Sequence, residues 1–494
     1  MASADPLEGS VSPRVDRVMA VVGGGITGLV AARYLALEGA EVTLFEASQR
    51  LGGQVRTVEV LGHQIDVGAE SLHLAGPAIT DLLDDLDLTA ELVTASSSFV
   101  WIWDGRRRRV LPAGVGPAGP TRLAPLVKAR VLSPLGMARA ALEPLVPRRT
   151  PWVGRSPEVA ARAGTGAGAG RVDADVAVGP FIAARFGRQV TDRLVDPVLG
   201  SLHAGDVNRL SLRAATPQLA ARAERHRSLL AAPSGGPRRP PSFVSFPRGL
   251  STLVDTVLRG TEVDVNLGAP VRQITTTPAG FDLDGDDGLL GSFDGVVVAL
   301  PAGPASRVLG QISEPAAGVL AELRAASVAT VVAAYPRAEA SRCEALSATG
   351  LLTPSGTGAL MEAATFLTTK WPQLQDDDHF LVRLSAGRAG EDRLADMDDS
   401  DLADRLLCDL ARATGLEASA TLTEVNRWPS SLPQLEVGHL GRLAAINRQL
   451  DDHPGLVLAG AAYEGLGIAT CVRSGRAAAR QVFTQLGHTQ QVPT

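Results

Sequence analysis

The sequence predicts an α/β fold (α+β overall) on three observations. An apolar stretch from Val18 runs into a glycine-rich turn, AVVGGGITG (20–28), and then into a helical pattern, LVAARYLALEG. A second apolar stretch, EVTLFE, ends on Glu46, 18 positions beyond Gly28. The chain also closes on a strand, a glycine-rich loop and a helix, GLVLAGAAYEGLGIATCVRSGRAAARQVF. Strand, turn, helix and strand in this order are one βαβ unit of a Rossmann-like sheet.

Each part of the opening unit has a physical task. Gly23 permits the tight turn, Gly25 lets a pyrophosphate come close to the backbone, and Gly28 lets helix and strand pack closely. Gly24, Ile26 and Thr27 complete the turn, and the helix start offers free N–H groups to phosphates. Glu46 can accept hydrogen bonds from an adenosine ribose. The fingerprint is common to NAD and FAD sites, so up to this point it predicts a dinucleotide without choosing one.

Beyond Glu46 come ASQRLGGQVRT and a strand pair around VEVLGHQIDVGAES. FVWIWDGRRRRVLP reads as a hairpin, with Asp104 and Gly105 supplying the positive φ angles of a tight turn. Its run Arg106–Arg109 reads either as a solvated strand end or as a contact with acidic lipid or substrate. Residues 115–240, rich in Pro, Ala, Leu and Arg with helical periodicity, predict a separate helical domain. Two stretches, 162–171 and 232–242, read as flexible loops within it. From residue 261 strands return, and DGVVVAL stops at Pro301, where the chain leaves the nucleotide domain. Residues 304–450 mix strands with a helix near 399–413.

Composition narrows the classes. A chain of 494 residues needs two or three domains, and 45% hydrophobic residues suit packed α/β structure. A net charge of −6 gives no reason to invoke nucleic acid, and of 47 basic residues only Lys128 and Lys370 are lysine. Cys343, Cys408 and Cys471 lack metal-ligand spacing and read as reduced thiols of a cytosolic protein. Residues 1–17 are polar, without an apolar signal core, and no run is long enough to span a bilayer. Peripheral membrane contact stays open.

Several longer stretches carry a family resemblance. They are IDVGAES (65–71), VGPFIAARFGRQVTDRLVDPVLGSLHAGDVNRLSLRAATPQL (178–219), FPRGLSTLVD (246–255), MEAATFLTTKWP (361–372), LVRLSAGRAGE (381–391), SLPQLEVGH (431–439) and AAYEGLGIATCVRSG (461–475). Together they resemble the protoporphyrinogen/coproporphyrinogen oxidase family of the amine-oxidase superfamily, in its actinobacterial form. The resemblance runs over nearly the whole chain, and the HAGD and LPQxxVGH patterns are more specific than any glycine fingerprint.

That resemblance implies FAD. It would be held by Gly23, Gly24, Gly25, Ile26, Thr27 and Gly28, by Glu46 and Ala47, and by Gly52, Gly53 and Gln54. Gly68, Ala69, Glu70 and Ser71 would lie near the flavin, and backbone at Val271 near the adenine. Trp428 and the turn Leu466, Gly467 and Ile468 would complete the site. The implied architecture is an FAD-binding domain (18–95, 244–300 and 451–486), a sheet-based substrate domain (96–114 and 301–450) and an inserted helical domain (115–243) that touches membranes in some members.

The implied chemistry is removal of six electrons from a porphyrinogen, coproporphyrinogen III or protoporphyrinogen IX, in haem biosynthesis. Hydride leaves a methylene bridge for flavin N5, O2 is reduced to H2O2, and three rounds give the porphyrin. No catalytic side chain is called for, and the sequence offers no convincing nucleophile–base pair. Leu352, Thr365 and Ser385 would line the substrate pocket. One departure stands out: the family often carries Arg or Lys after the GAES-like motif, whereas here His73 occupies that position. His73 reads as a propionate contact or as a plain loop residue. Cys471 reads as a small buried residue beside the cofactor. The sequence leaves two other functions open: a related oxidase or desaturase recruited to a specialised metabolite, and a flavin-binding protein without turnover. A cytoplasmic monomer or homodimer is expected, with O2 and a porphyrinogen-like molecule as its partners and no metal.

Overall fold

The computed structural model describes residues 17–74, 76–96, 99–116, 119–147, 175–230 and 243–489. The predicted lead-in before Arg17 and the loops 162–171 and 232–242 lie outside the described residues.

The opening unit folds as β1 (Val18–Val22), α1 (Ile26–Leu37) and β2 (Glu41–Glu46). A five-stranded parallel sheet forms around it in the order Val263–Leu267, β2, β1, Gly295–Val298, Leu456–Leu458. Two of its inner strands, Val18–Val22 and Gly295–Val298, are apolar throughout because both faces are covered. On one face α1 packs against the closing helix Ile468–Thr489, so closely that a Cβ at Gly475 would lie 2.4 Å from Thr27 O. On the other face lie a three-stranded meander (residues 273–293) and the helices Ala302–Val308 and Glu314–Ala321. The chain leaves this sheet at Pro301, which caps the first of those helices.

A seven-stranded sheet forms in the order Leu422–Pro433, Ala325–Pro336, His379–Ala386, Met361–Phe366, Gly350–Leu352, Val100–Trp103, Arg108–Val110. One face is covered by the helix Asp399–Thr414, which inserts Leu402, Leu406, Leu410 and Ala413 beside Ala364, Phe366, Leu384 and Ala386. That helix is started by the Asp398 carboxylate, which accepts the Asp401 N–H at 2.8 Å, and ended by Gly415 at φ +77°. Because strand side chains alternate, Leu352, Ala363, Thr365, Arg383 and Ser385 belong to the opposite face.

The 99–112 hairpin forms, with one difference from expectation. Gly105 has φ +88°, but Asp104 is not among the positive-φ residues. Its side chain makes the turn instead, accepting the Arg106 and Arg107 N–H groups at 3.0 and 2.8 Å. Of the arginine run, Arg108 is not a free strand end: it donates to Ala413 O at 2.8 Å at the end of the covering helix.

Between 124 and 225 the described residues are helical, around a core that includes Phe181, Ile182, Leu194 and Leu210. A wide π-helical turn, Thr191–Gly200, contains Pro197, whose missing N–H fits a stretch where regular bonding is already broken. The HAGD and LPQxxVGH segments lie side by side and join this region to the seven-stranded sheet. Gln434 Nε2 donates to His203 O at 2.8 Å, Ser211 N–H to Leu435 O at 2.7 Å and Val437 N–H to Arg209 O at 3.0 Å.

Candidate active site

The three glycines of the opening turn are required for different reasons. Gly23 has φ +109°, and a Cβ there would stand 2.7 Å from Ala299 O; a Cβ on Gly28 would stand 1.9 Å from Gly23 O. Both are packing constraints. A Cβ on Gly25 would meet nothing within 4 Å, so this glycine faces open space. Helix α1 starts with no side-chain cap and no acid in its first turn, which leaves the N–H groups of Ile26 and Thr27 for an anion.

Glu46 has a task the sequence did not disclose. Its carboxylate accepts the Gly24 N–H at 2.7 Å and both the N–H and Oγ of Ser48, at 2.8 and 2.7 Å. It therefore braces the glycine turn, and Ala47 follows it directly. Gly52 N–H donates to Gly24 O at 2.8 Å, and a Cβ on Gly53 would stand 3.2 Å from Gly25 Cα. Gln54 O accepts the Ala69 N–H at 2.9 Å, and Gly68 is wedged between Gln54 O and the Trp428 ring. Val271, buried, packs with Phe45 beside the segment in which Ala269 N–H donates to Glu46 O at 3.0 Å.

The closing turn belongs to the same neighbourhood. A Cβ on Gly460 would lie 3.8 Å from Thr27 Oγ1, and the Gly460 N–H donates to Ser474 Oγ at 3.0 Å. Leu466 and Gly467 (φ +102°) lead into the helix at Ile468, and a Cβ on Gly467 would again meet nothing within 4 Å. Cys471 lies near Thr27, and burial pushes its thiol pKa up, so it is not a ready thiolate.

Leu352, Thr365 and Ser385 come together on the open face of the seven-stranded sheet. The strand pairs Leu352↔Ala363, Ala363↔Ser385 and Ser385↔Thr330 set one row across it, and Gly350↔Thr365 and Thr365↔Arg383 the next. His73 does not join them. It is exposed on the short strand Leu72–His73, paired with Phe243, its ring 5.7 Å from the Phe243 ring.

Sequence reasoning named Glu70 and Thr365 singly but missed the two buried charge clusters at the ends of this open face. At one end Glu70 accepts from Lys370 Nζ at 2.7 Å, Thr365 Oγ1 at 2.8 Å and Trp371 Nε1 at 3.2 Å, with Arg383 Nη1 at 3.4 Å. Burial alone would raise the Glu70 pKa, but Lys370 and Arg383 outweigh it and hold it at about 2. At the other end Arg388 joins Glu362 (Nε to Oε1, 3.0 Å) and Asp196 (Nη1 to Oδ1, 3.2 Å). The available signal for the first was Lys370 itself, a rare lysine in a chain that otherwise uses arginine; for the second there was none.

With this geometry in place, comparison with known proteins is informative. The profile of the flavin containing amine oxidoreductases matches residues 26–483. The chain belongs to that family. It is 30% identical to the coproporphyrinogen III oxidase of Bacillus subtilis, over 94% of this chain and 98% of that one. It is 31% identical to the enzyme of the same name from Mycobacterium leprae, over 93% and 97%. A crystal structure from Exiguobacterium, provisionally named a protoporphyrinogen oxidase, superposes with a TM-score of 0.79 at 26% identity, over 95% and 99%. These relatives place the chain in the protoporphyrinogen/coproporphyrinogen oxidase family, as the motifs predicted.

The protein is thus an FAD-dependent oxidoreductase. Its own atoms fit the cofactor: two glycines face open space at two helix starts, and Trp428 Nε1 is buried beside Gly68 without a partner among the described residues. No helix among the described residues is long and apolar enough to cross a membrane.

Proposed function

We propose that this flavoprotein oxidises a porphyrinogen to the porphyrin in haem synthesis, with coproporphyrinogen III the first candidate and protoporphyrinogen IX the second. The observation that supports it most is near-full-length similarity to enzymes named coproporphyrinogen III oxidase, from Bacillus to Mycobacterium. The open sheet face agrees with it: Leu352, Ala363, Ser385 and Gly350 form a floor of small and apolar side chains suited to a flat macrocycle.

Bound FAD would supply a hydride acceptor at flavin N5, with O2 as the final oxidant and H2O2 as its product. The chain's own part is to bind and orient. Gly23 to Gly28 and the α1 start hold the pyrophosphate, Glu46 the ribose, and Val271 the adenine. Gly52, Gly53 and Gln54 line the middle of the cofactor. Gly68 to Ser71, Trp428 and Leu466 to Ile468 enclose the flavin end. Leu352, Thr365 and Ser385 carry the substrate, which loses six electrons in three rounds. The three accompanying protons pass to solvent: two are the net loss of pyrrole N–H, and the third is the hydrogen of the fourth methylene bridge, released after tautomerisation onto a pyrrole nitrogen.

Anaerobic mixing of the purified protein with coproporphyrinogen III tests the reading. Bleaching of the flavin, then porphyrin fluorescence and peroxide on admitting air, is the expected result. A flavin that stays oxidised with both porphyrinogens overturns it. The second reading, an oxidase recruited to another substrate, is favoured by one observation: the family's cationic loop position is His73, exposed and turned onto Phe243.

A further inference from the structure

The segment Asp66–Ser71 is fastened to the seven-stranded sheet residue by residue. Arg383 Nη1 donates to Asp66 O at 3.0 Å and Thr330 Oγ1 to Val67 O at 2.7 Å. Gly68 touches Trp428, and Glu70 is held by Thr365, Lys370 and Trp371. Two cations, Lys370 and Arg383, face the Glu70 carboxylate, but Arg383 also faces the Asp66 carboxylate, so only Lys370 is given to Glu70 alone. Lys370 is further fixed by the Trp371 and Phe243 rings, 5.1 and 5.8 Å from its ammonium. Thr365 of the substrate floor and Glu70 of the turn are thereby one hydrogen-bonded unit with the Lys370 ammonium, buried where charges are poorly screened.

We propose that Lys370 is a positioning residue that joins the turn Gly68–Ser71 to the substrate floor and, through its own positive charge, raises the reduction potential of the bound flavin. A flavin gaining electrons beside an added positive charge is stabilised relative to its oxidised form, so Lys370 makes hydride uptake more favourable. The inference rests on the reading of Gly68–Ser71 as facing the flavin.

The test is the midpoint potential of the FAD-loaded protein, by dye-coupled anaerobic reduction. Relative to the native protein the cluster loses one positive charge in Lys370→Met, gains one in Glu70→Gln, and is unchanged in the double variant and in Lys370→Arg. The expected order is Glu70→Gln highest, native, Lys370→Arg and the double variant together, and Lys370→Met lowest. A merely structural role would not return the double variant to the native value. A Lys370→Met potential equal to the native one, or a double variant no nearer to native than Lys370→Met, overturns the proposal. Should Lys370→Met lose its flavin, Glu70→Gln against native decides, and a potential that does not rise overturns it. The potential needs no porphyrinogen, and native turnover of coproporphyrinogen III measured alongside separates failure of the proposed function from failure of this inference.

Discussion

Two buried carboxylates stand at opposite ends of one sheet face, and the structure drives their acidities apart. Glu70 is held at about 2, whereas Glu362 is raised to about 7. Burial pushes both upward. At Glu70 two cations, Lys370 and an Arg383 that also faces Asp66, reverse the push. At Glu362 the single guanidinium of Arg388 is shared with Asp196, and Glu391 and Asp196 add repulsion, so burial wins. Residue type and depth are alike at the two ends; the ratio of cations to carboxylates decides the outcome.

The largest test of that contrast removes one cation at each end. Arg388→Met leaves Asp196 and Glu362 buried without their shared partner, and loss of one member of such a cluster typically costs about 3–5 kcal/mol. Arg383→Met leaves Lys370 on Glu70 and should cost about 1–2 kcal/mol, the scale of lost hydrogen bonds to a buried group. Urea unfolding of the two holoproteins, followed by flavin fluorescence, measures both. Equal costs would break the comparison.

The second test is pH. Glu362 has a folded pKa raised from an ordinary 4.5 to about 7, so its contribution to stability is full below about 4.5 and is lost as pH rises through 7. Asp66, raised to about 6 by burial against its bonds from Thr57, Leu250 and Ser245, loses stability in the same direction. Glu70 acts oppositely: its contribution is full above about 4.5 and is lost as pH falls through about 2. His203 and His439, lowered to about 4 by burial, also lose theirs on acidification, between about 6.5 and 4. Glu362→Gln should therefore gain stability over the native protein between pH 5 and pH 8, at up to about 1.4 kcal/mol per unit of the shift removed. Denaturation midpoints at both pH values check it, and a difference that does not grow with pH removes Glu362 from the account.

These clusters also mark where the sequence stops being legible. The cradle could be read from spacing, because a βαβ turn fixes its glycines within a few residues of one another. Gly23, Gly25 and Gly28 stand where that reading put them, and a Cβ at Gly28 shows why no other residue fits. Glu46 was legible as an acid at a strand end, but not as the brace of Gly24, since that bond depends on how β2 lies beside the turn. The open face was legible only through resemblance. Leu352, Thr365 and Ser385 are far apart in the chain and meet because three strands pair in a register no local pattern encodes. The charge clusters were harder still: Arg388, Glu362 and Asp196 lie on three separate elements, and each alone looks like a surface residue. His73, which the sequence leaves as a propionate contact or a plain loop residue, lies exposed on the Leu72–His73 strand against Phe243, outside the row of Leu352, Thr365 and Ser385.

The smallest effect is expected midway between the two clusters. Ser385 Oγ donates to Ala363 O at 3.3 Å, a long bond within the sheet, and its strand is held on both sides by Ala363 and Thr330. Ser385→Ala keeps the floor flat and removes only that bond, so stability should change by no more than about 0.5 kcal/mol. The variant still carries the same charge at either end of the face, so its flavin potential should equal the native one while KM for coproporphyrinogen III moves less than about twofold, within about 0.4 kcal/mol. If instead Ser385→Ala shifts the potential as much as Lys370→Met, the floor and the charge cluster are not separable, and the ratio of cations to carboxylates is not what sets the difference between the two ends.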